Sequence, residues 1–184
     1  MLTKKELIDA LLSLGDKLEK ENITGEILIA GGAAMPLVLD ARNSTKDIDA
    51  LYEPKGDINR LSQIVAAEMN LPSDWLNDGV KGFMSEKTTT QTYARFGGLS
   101  VKSVTPECLL AMKLVSGRIG DTDVGDAKFL MKHIGITTTE QAHQILDKYY
   151  PANKTLPKKG YLIDEIVEGI QSENQYKCCS HGSG

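Results

Sequence analysis

Leu7, Leu11, Leu14 and Leu18 recur at helical spacing, with Ile8 and Leu12 beside them. An apolar stripe of that period marks a helix lying on a core. Thr3 and Glu6 stand ahead of it at the spacing of a capping box. Together they predict an amphipathic helix over residues 4–21. The period then changes. Glu26 to Ala30 is a short apolar run ending at Gly31–Gly32, which reads as a buried strand and a tight turn. Residues 33–40 read as a short helix. Pro36 falls in its first turn, where a missing N–H costs nothing.

Residues 47–52 alternate polar and apolar side chains, which predicts a second strand. On such a strand Asp47 and Asp49 share one face and Ile48 takes the other. Residues 57–69 return to helical spacing behind a cap-like Asp57. Residues 80–85, 89–96 and 99–104 read as short strands, with Gly97–Gly98 as the turn between the last two.

Beyond them the pattern is helical. Thr105-Pro106-Glu107 combines a cap, a proline at the first position and an acid at the positive end of the dipole. Helices follow over 106–117 and 123–134, with Asp121 or Asp123 as the cap of the second. Thr137 and Glu140 offer a capping box for a helix over 138–148. Residues 151–157 read as a linker, 159–173 as a last amphipathic helix, and 174–184 as a polar, disordered tail. This order predicts an α/β (α+β) fold, a mixed sheet flanked by helices with a C-terminal helical segment. Residues 1–104 would form the core, and 105–150 a helical part of the same domain.

Length and composition narrow the setting. A chain of 184 residues suits one domain with a short appendage. Its net charge of −4 gives no strongly basic field, so nucleic acid could be met only by a local patch. No apolar run approaches the roughly 20 residues that cross a bilayer. The charged start of the chain does not resemble a signal peptide. Three cysteines, two of them adjacent, are not a disulfide framework and fit a reducing compartment. The expectation is a cytoplasmic protein with no membrane role.

The informative stretch is GGAAMPLVLDARNSTKDID, from Gly31 to Asp49. A Gly-Gly turn closes one strand and an Asp-x-Asp opens the next. Two carboxylates on one strand face can hold Mg²⁺, a hard cation that prefers oxygen ligands. Such an ion bridges phosphate oxygens and offsets charge developing during transfer. Glycines let a backbone approach phosphates closely.

These residues resemble the polymerase-β nucleotidyltransferase superfamily, whose signature is Gly-Gly or Gly-Ser followed by Asp-x-Asp. The resemblance is closer to the small AbiEii-like putative nucleotidyltransferases, the abortive-infection or type IV toxin group. Gly31, Gly32, Ala34, Arg42, Thr45, Asp47, Ile48 and Asp49 match that group's first motif. The block LLAMKLVSGRIGDTDVGDAKFL matches a second motif and contributes Lys113, Arg118, Asp123 and Asp126. The two motifs together cover roughly residues 25–135.

The resemblance implies roles. Asp47 and Asp49 would ligate Mg²⁺ or Mn²⁺. Gly31, Gly32, Arg42 and Thr45 would contact a nucleoside triphosphate. Lys113 would meet a phosphate as a point charge. Asp126, with Asp123 as the alternative, would do base or orienting work. The acceptor would be an RNA such as tRNA, or a protein hydroxyl, and an antitoxin would be the partner protein. One departure stands out. Many superfamily members place a third carboxylate on a later strand, but Leu99–Val104 carries Lys102 and no acid. Either a helical aspartate substitutes or the site binds without catalysing.

Each feature also has a plain structural reading. Gly31–Gly32 can be a simple turn, and Asp47 and Asp49 a solvated strand face. Arg42 can pair with either aspartate. Lys113 and Arg118 can be ordinary helix charges. Cys108 reads as a small buried hydrophobe.

Overall fold

The computed structural model describes residues 1–116, 120–150 and 158–180, with no side-chain description at 121, 158–161 and 174–180. The fold is mixed α/β, as the pattern predicts. Two compact units divide it: Met1–Met84 with Thr89–Thr105, and Ser85–Thr88 with the described part of Pro106–Gly184.

The first unit is built on helix α1 (Lys4–Lys20) and a five-stranded sheet. The expected capping box starts α1. Thr3 Oγ1 accepts the Glu6 N–H, and the Glu6 carboxylate accepts the Thr3 N–H at 2.7 Å. Leu7, Leu11, Leu14 and Leu18 are fully buried. Chain order begins with β1 (Leu2–Thr3) and continues after α1 with β2 (Gly25–Ala30), α2 (Ala34–Leu37) and β3 (Ser44–Thr45). It runs on through β4 (Ile48–Glu53), α3 (Lys55–Met69), β5 (Leu76–Asn77), β6 (Thr90–Phe96) and β7 (Leu99–Val104). The sheet order is β5-β4-β2-β7-β6. β2 runs antiparallel to β4 and parallel to β7, and β4 runs parallel to β5. β1 and β3 form a separate two-stranded ladder.

Alternation sorts this sheet into two faces. Ile27, Ile29, Ile48, Ala50, Leu99 and Val101 are fully buried. Helices α1 and α3 pack together, α1 against β7 and α3 against β4. Leu28, Asp49, Leu51, Ser100 and Lys102 lie on the other face and are partly exposed. One face therefore makes the core, and the other is partly exposed.

The second unit holds α4 (Pro106–Ser116), α5 (Asp121–His133), α6 (Thr139–Tyr149) and α7 (Lys158–Ser180). Leu109, Leu110, Leu130, Met131, Leu146, Ile163 and Ile166 form its buried interior. Cys108 is buried there too. His133 stacks on Phe129 with ring centroids 5.8 Å apart. Among the described residues no helix is long and apolar enough to cross a membrane.

Several boundaries differ from the sequence-based expectation. Residues 80–85 are not a strand; Gly79–Phe83 is a 3₁₀ turn. The Asn77 side chain accepts the Gly79 N–H at 2.9 Å and folds the chain back before a ladder can form. Helix α3 starts at Lys55 behind Pro54, so Asp57 sits in its first turn rather than capping it. Gly120, in extended backbone, is the cap residue of α5, and among the described residues no side chain caps that end. Asp123 is drawn into an ion pair instead. The second capping box is Thr138 with Gln141, not Thr137 with Glu140. Gln141 Oε1 accepts both the Thr137 and Thr138 N–H groups, which fixes the helix start one residue later. α7 runs to Ser180, so residues 174–180 are helical where a disordered tail is expected. No glycine or proline interrupts the chain between Gly169 and Gly182, and a formed helix propagates at low cost through such residues. The 151–157 linker, residues 181–184 and Arg118 lie outside the described residues.

Candidate functional site

The first unit gathers its candidate residues at the end of β2 and the start of β4, beside the two-residue β5. Ala30 closes β2 opposite Asp49 in the antiparallel register. The chain then turns at Gly31, whose φ of +63° is left-handed backbone that favours glycine. A Cβ there would lie 3.0 Å from Asp49 Oδ2. A Cβ on Gly32 would lie 2.7 Å from Arg42 Nη2 and 3.1 Å from Thr45 Oγ1. The two glycines thus let the side chains of Asp49, Arg42 and Thr45 approach the backbone closely. Arg42 Nη2 donates to the Gly32 carbonyl at 2.8 Å and to Thr45 Oγ1 at 3.5 Å, tying the 42–45 segment to the glycine turn. Thr45 is buried.

Asp47 immediately precedes β4 and Asp49 lies within it; both are half-exposed while Ile48 is fully buried. Asp47 Oδ2 accepts from Asn77 Nδ2 at 3.2 Å. Asp49 is the register partner of Asn77 in the parallel β4–β5 pair. A Cβ on Gly79 would meet Asp49 Oδ1 at 3.3 Å. Among the described residues the Asp49 carboxylate accepts no hydrogen bond, and neither aspartate enters an ion pair. The structure therefore brings Gly31, Gly32, Arg42, Thr45, Asp47 and Asp49 into one cluster.

The electrostatics follow from that placement. Burial pushes the Asp47 carboxyl above the ordinary aspartate value, and the charges of Asp49 and Asp74 push the same way. Lys46 and the Asn77 hydrogen bond oppose the rise without cancelling it. A carboxylate held beside a like charge in partly desolvated surroundings has its charged form penalised, and an added cation relieves that penalty. Mg²⁺ commonly takes one or two carboxylates and fills its octahedron with waters and substrate phosphates. The pair fits that use. Among the described residues no group of three or more His, Cys, Asp or Glu side chains is arranged to hold a metal unaided.

The other candidates lie in the second unit. Lys113 Nζ on α4 sits 2.6 Å from Asp123 Oδ1 and 2.8 Å from Asp126 Oδ2 on α5. Lys113 and Asp126 have side chains only 10% and 7% exposed. This is a buried ion-paired cluster, not a free lysine beside a free acid. On β7, Lys102 pairs with Glu26 at 2.7 Å, and that strand carries no carboxylate.

Asn77 is the site residue that the sequence-based expectation lacks. Its signal is Asn77-Asp78-Gly79 after the apolar pair Trp75–Leu76, a sequence suited to an Asx turn ending a short strand. Trp75 is fully buried, and its indole N–H donates to the Ser62 carbonyl at 3.0 Å. No protein-family model, curated protein or solved structure matches the chain.

Proposed function

We propose that this chain is a nucleotidyltransferase dependent on Mg²⁺ or Mn²⁺, moving a nucleotidyl group from a nucleoside triphosphate to a hydroxyl of RNA, tRNA included, or of a protein. One observation carries the reading: Asp47 and Asp49 stand side by side at a glycine turn, without an ion pair among the described residues. Two neighbouring carboxylates repel each other, and a bound cation removes that cost.

The chain's own residues have distinct tasks in this reading. Asp47 and Asp49 hold the ion. Gly31 and Gly32 admit the triphosphate to the backbone, where any larger residue would press on Asp49 or Arg42. Arg42 and Thr45 brace the turn and offer polar contact to phosphate oxygens. The ion, when bound, offsets negative charge developing on the phosphates. In the reaction the acceptor oxygen bonds to the α-phosphorus, and the bond from that phosphorus to the β-bridging oxygen breaks. Pyrophosphate leaves with the electron pair, and a base takes the hydroxyl proton.

Lys113 and Asp126 enter the proposal through the family resemblance, as phosphate cation and base or orienting acid. Each is now the other's ion-pair partner. Lys113 would therefore exchange a carboxylate for a phosphate in taking that role. A cytoplasmic toxin–antitoxin or phage-defence setting, with an antitoxin as partner, belongs to the same proposal.

A second reading has its own observation. Asn77, an amide, stands beside Asp49 on β5, and Lys102 rather than an acid lies on β7. That set suits a nucleotide-binding or protein-interaction module that no longer catalyses. Incubation with α-³²P-labelled nucleotides, Mg²⁺, and tRNA or total lysate separates the two. Transfer of label to an acceptor, lost in Asp49→Asn, supports the enzyme. Absence of label from every acceptor overturns it and leaves the binding module.

A further inference from the structure

The geometry points to Asn77 as a positioning residue for the divalent-ion site, holding Asp47 by its Oδ2 edge so that Oδ1 is the oxygen left for the ion. This inference rests on the nucleotidyltransferase reading above.

Asn77 is placed by its neighbours. The Ile48 N–H donates to the Trp75 carbonyl at 2.6 Å, which locks the start of β5 beside β4. Buried Trp75 anchors that segment. Asn77 then falls opposite Asp49 in the register. Its side-chain amide is used at both ends. Oδ1 accepts the Gly79 N–H at 2.9 Å and closes the turn. Nδ2 donates to Asp47 Oδ2 at 3.2 Å and to the Asp74 carbonyl at 3.4 Å.

An amide pinned at its oxygen cannot swing its nitrogen away, so Asp47 meets a fixed donor. Asp47 Oδ1 has no protein hydrogen-bond partner among the described residues. One lone pair of Oδ2 is engaged by the amide, while both on Oδ1 are presented. Groups that orient a metal ligand this way typically govern affinity by about 10- to 100-fold. An aspartate in the same place would set a third negative charge beside Asp47 and Asp49. The neutral amide orients without adding charge.

The test is Mn²⁺ binding to the full chain, followed by the electron paramagnetic resonance signal of the free ion. In Asn77→Ser the hydroxyl can still accept from a backbone N–H two residues on, but is too short to reach Asp47. Mn²⁺ affinity is expected to fall about tenfold with the melting temperature unchanged. In an Asp47→Asn background the same change should add nothing, because its route of action is gone. Mn²⁺ affinity equal to wild type in Asn77→Ser overturns the positioning role, as does a fully additive loss in the double variant. Should Asn77→Ser not fold, the wild-type chain still decides. The Asn77 side-chain NH₂ resonances must move on Mg²⁺ addition and stay still in Asp47→Asn; unmoved wild-type resonances overturn the role. If wild type fails to bind Mn²⁺, or Asp49→Asn binds as tightly, the nucleotidyltransferase reading itself fails. That failure is distinct from losing Asn77 alone.

Discussion

The two units hold contrasting sets of carboxylates. In the second, Asp123 and Asp126 both close on Lys113, a cation of the chain. In the first, Asp47 and Asp49 stand two positions apart on one segment beside the Asn77 amide, with no ion pair among the described residues. The former set carries its own cation. The latter leaves like charges together beside a glycine turn, which is the condition under which an external cation gains most. Acid count alone does not separate the two; the partner does.

Replacement of Asp49 by Asn should give the largest effect. It removes a metal ligand without changing shape, and transfer of label should fall on the order of a thousandfold, several kcal/mol of charge stabilisation. Melting should be little changed. A variant with wild-type activity would erase the contrast between the clusters.

Lys113→Met should act in the opposite way, on stability first. It removes the Lys113 charge from the buried Asp126 carboxylate, a loss of about 3–5 kcal/mol. Hydrogen exchange of α4 and α5 amides would show where protection is lost. Lys113→Met with Asp126→Leu should recover most of that stability, since an apolar pair avoids the desolvation cost of both charges. A single variant with full protection would mean that the cluster is not structural.

Gly31→Ala should cost about 1–2 kcal/mol from the left-handed backbone alone. It should also weaken triphosphate binding, because the new methyl presses on Asp49. Gly120→Ala, with open space around its Cβ, is the control expected to change binding by less than twofold.

The smallest effect is a pH dependence. The Asp47 carboxyl is raised above its ordinary value of 3.8, so the folded state holds that proton more tightly than the unfolded chain. Its contribution is present below 3.8 and is lost as pH rises through the folded value. Asp47→Asn should therefore melt slightly higher than wild type above that range, by less than 1 kcal/mol for a half-exposed group. The difference should vanish near pH 3, and added Mg²⁺ should shrink it at neutral pH.

Parts of this contrast are legible in the sequence, and the reasons are local. The leucine stripe of α1 and the alternation at 47–52 are periods within one element, and the structure keeps them. So the shared face of Asp47 and Asp49 follows from counting by two. β5 has only two residues, which is too short for any period, and Asn77 becomes a site residue only through pairing with β4. The partnership of Lys113 with Asp123 and Asp126 joins two helices, and nothing in the spacing within either helix encodes it. Helix α7 outruns its apolar pattern because a polar sequence without breakers continues a helix that packing has already started.

Calorimetric titration of the full chain with a nucleoside triphosphate, in turn with Mg²⁺, with EDTA and in the Asp49→Asn variant, tests the central claim most directly. The account expects binding with Mg²⁺ and none in the other two. Equal binding in all three, or in none, would contradict it.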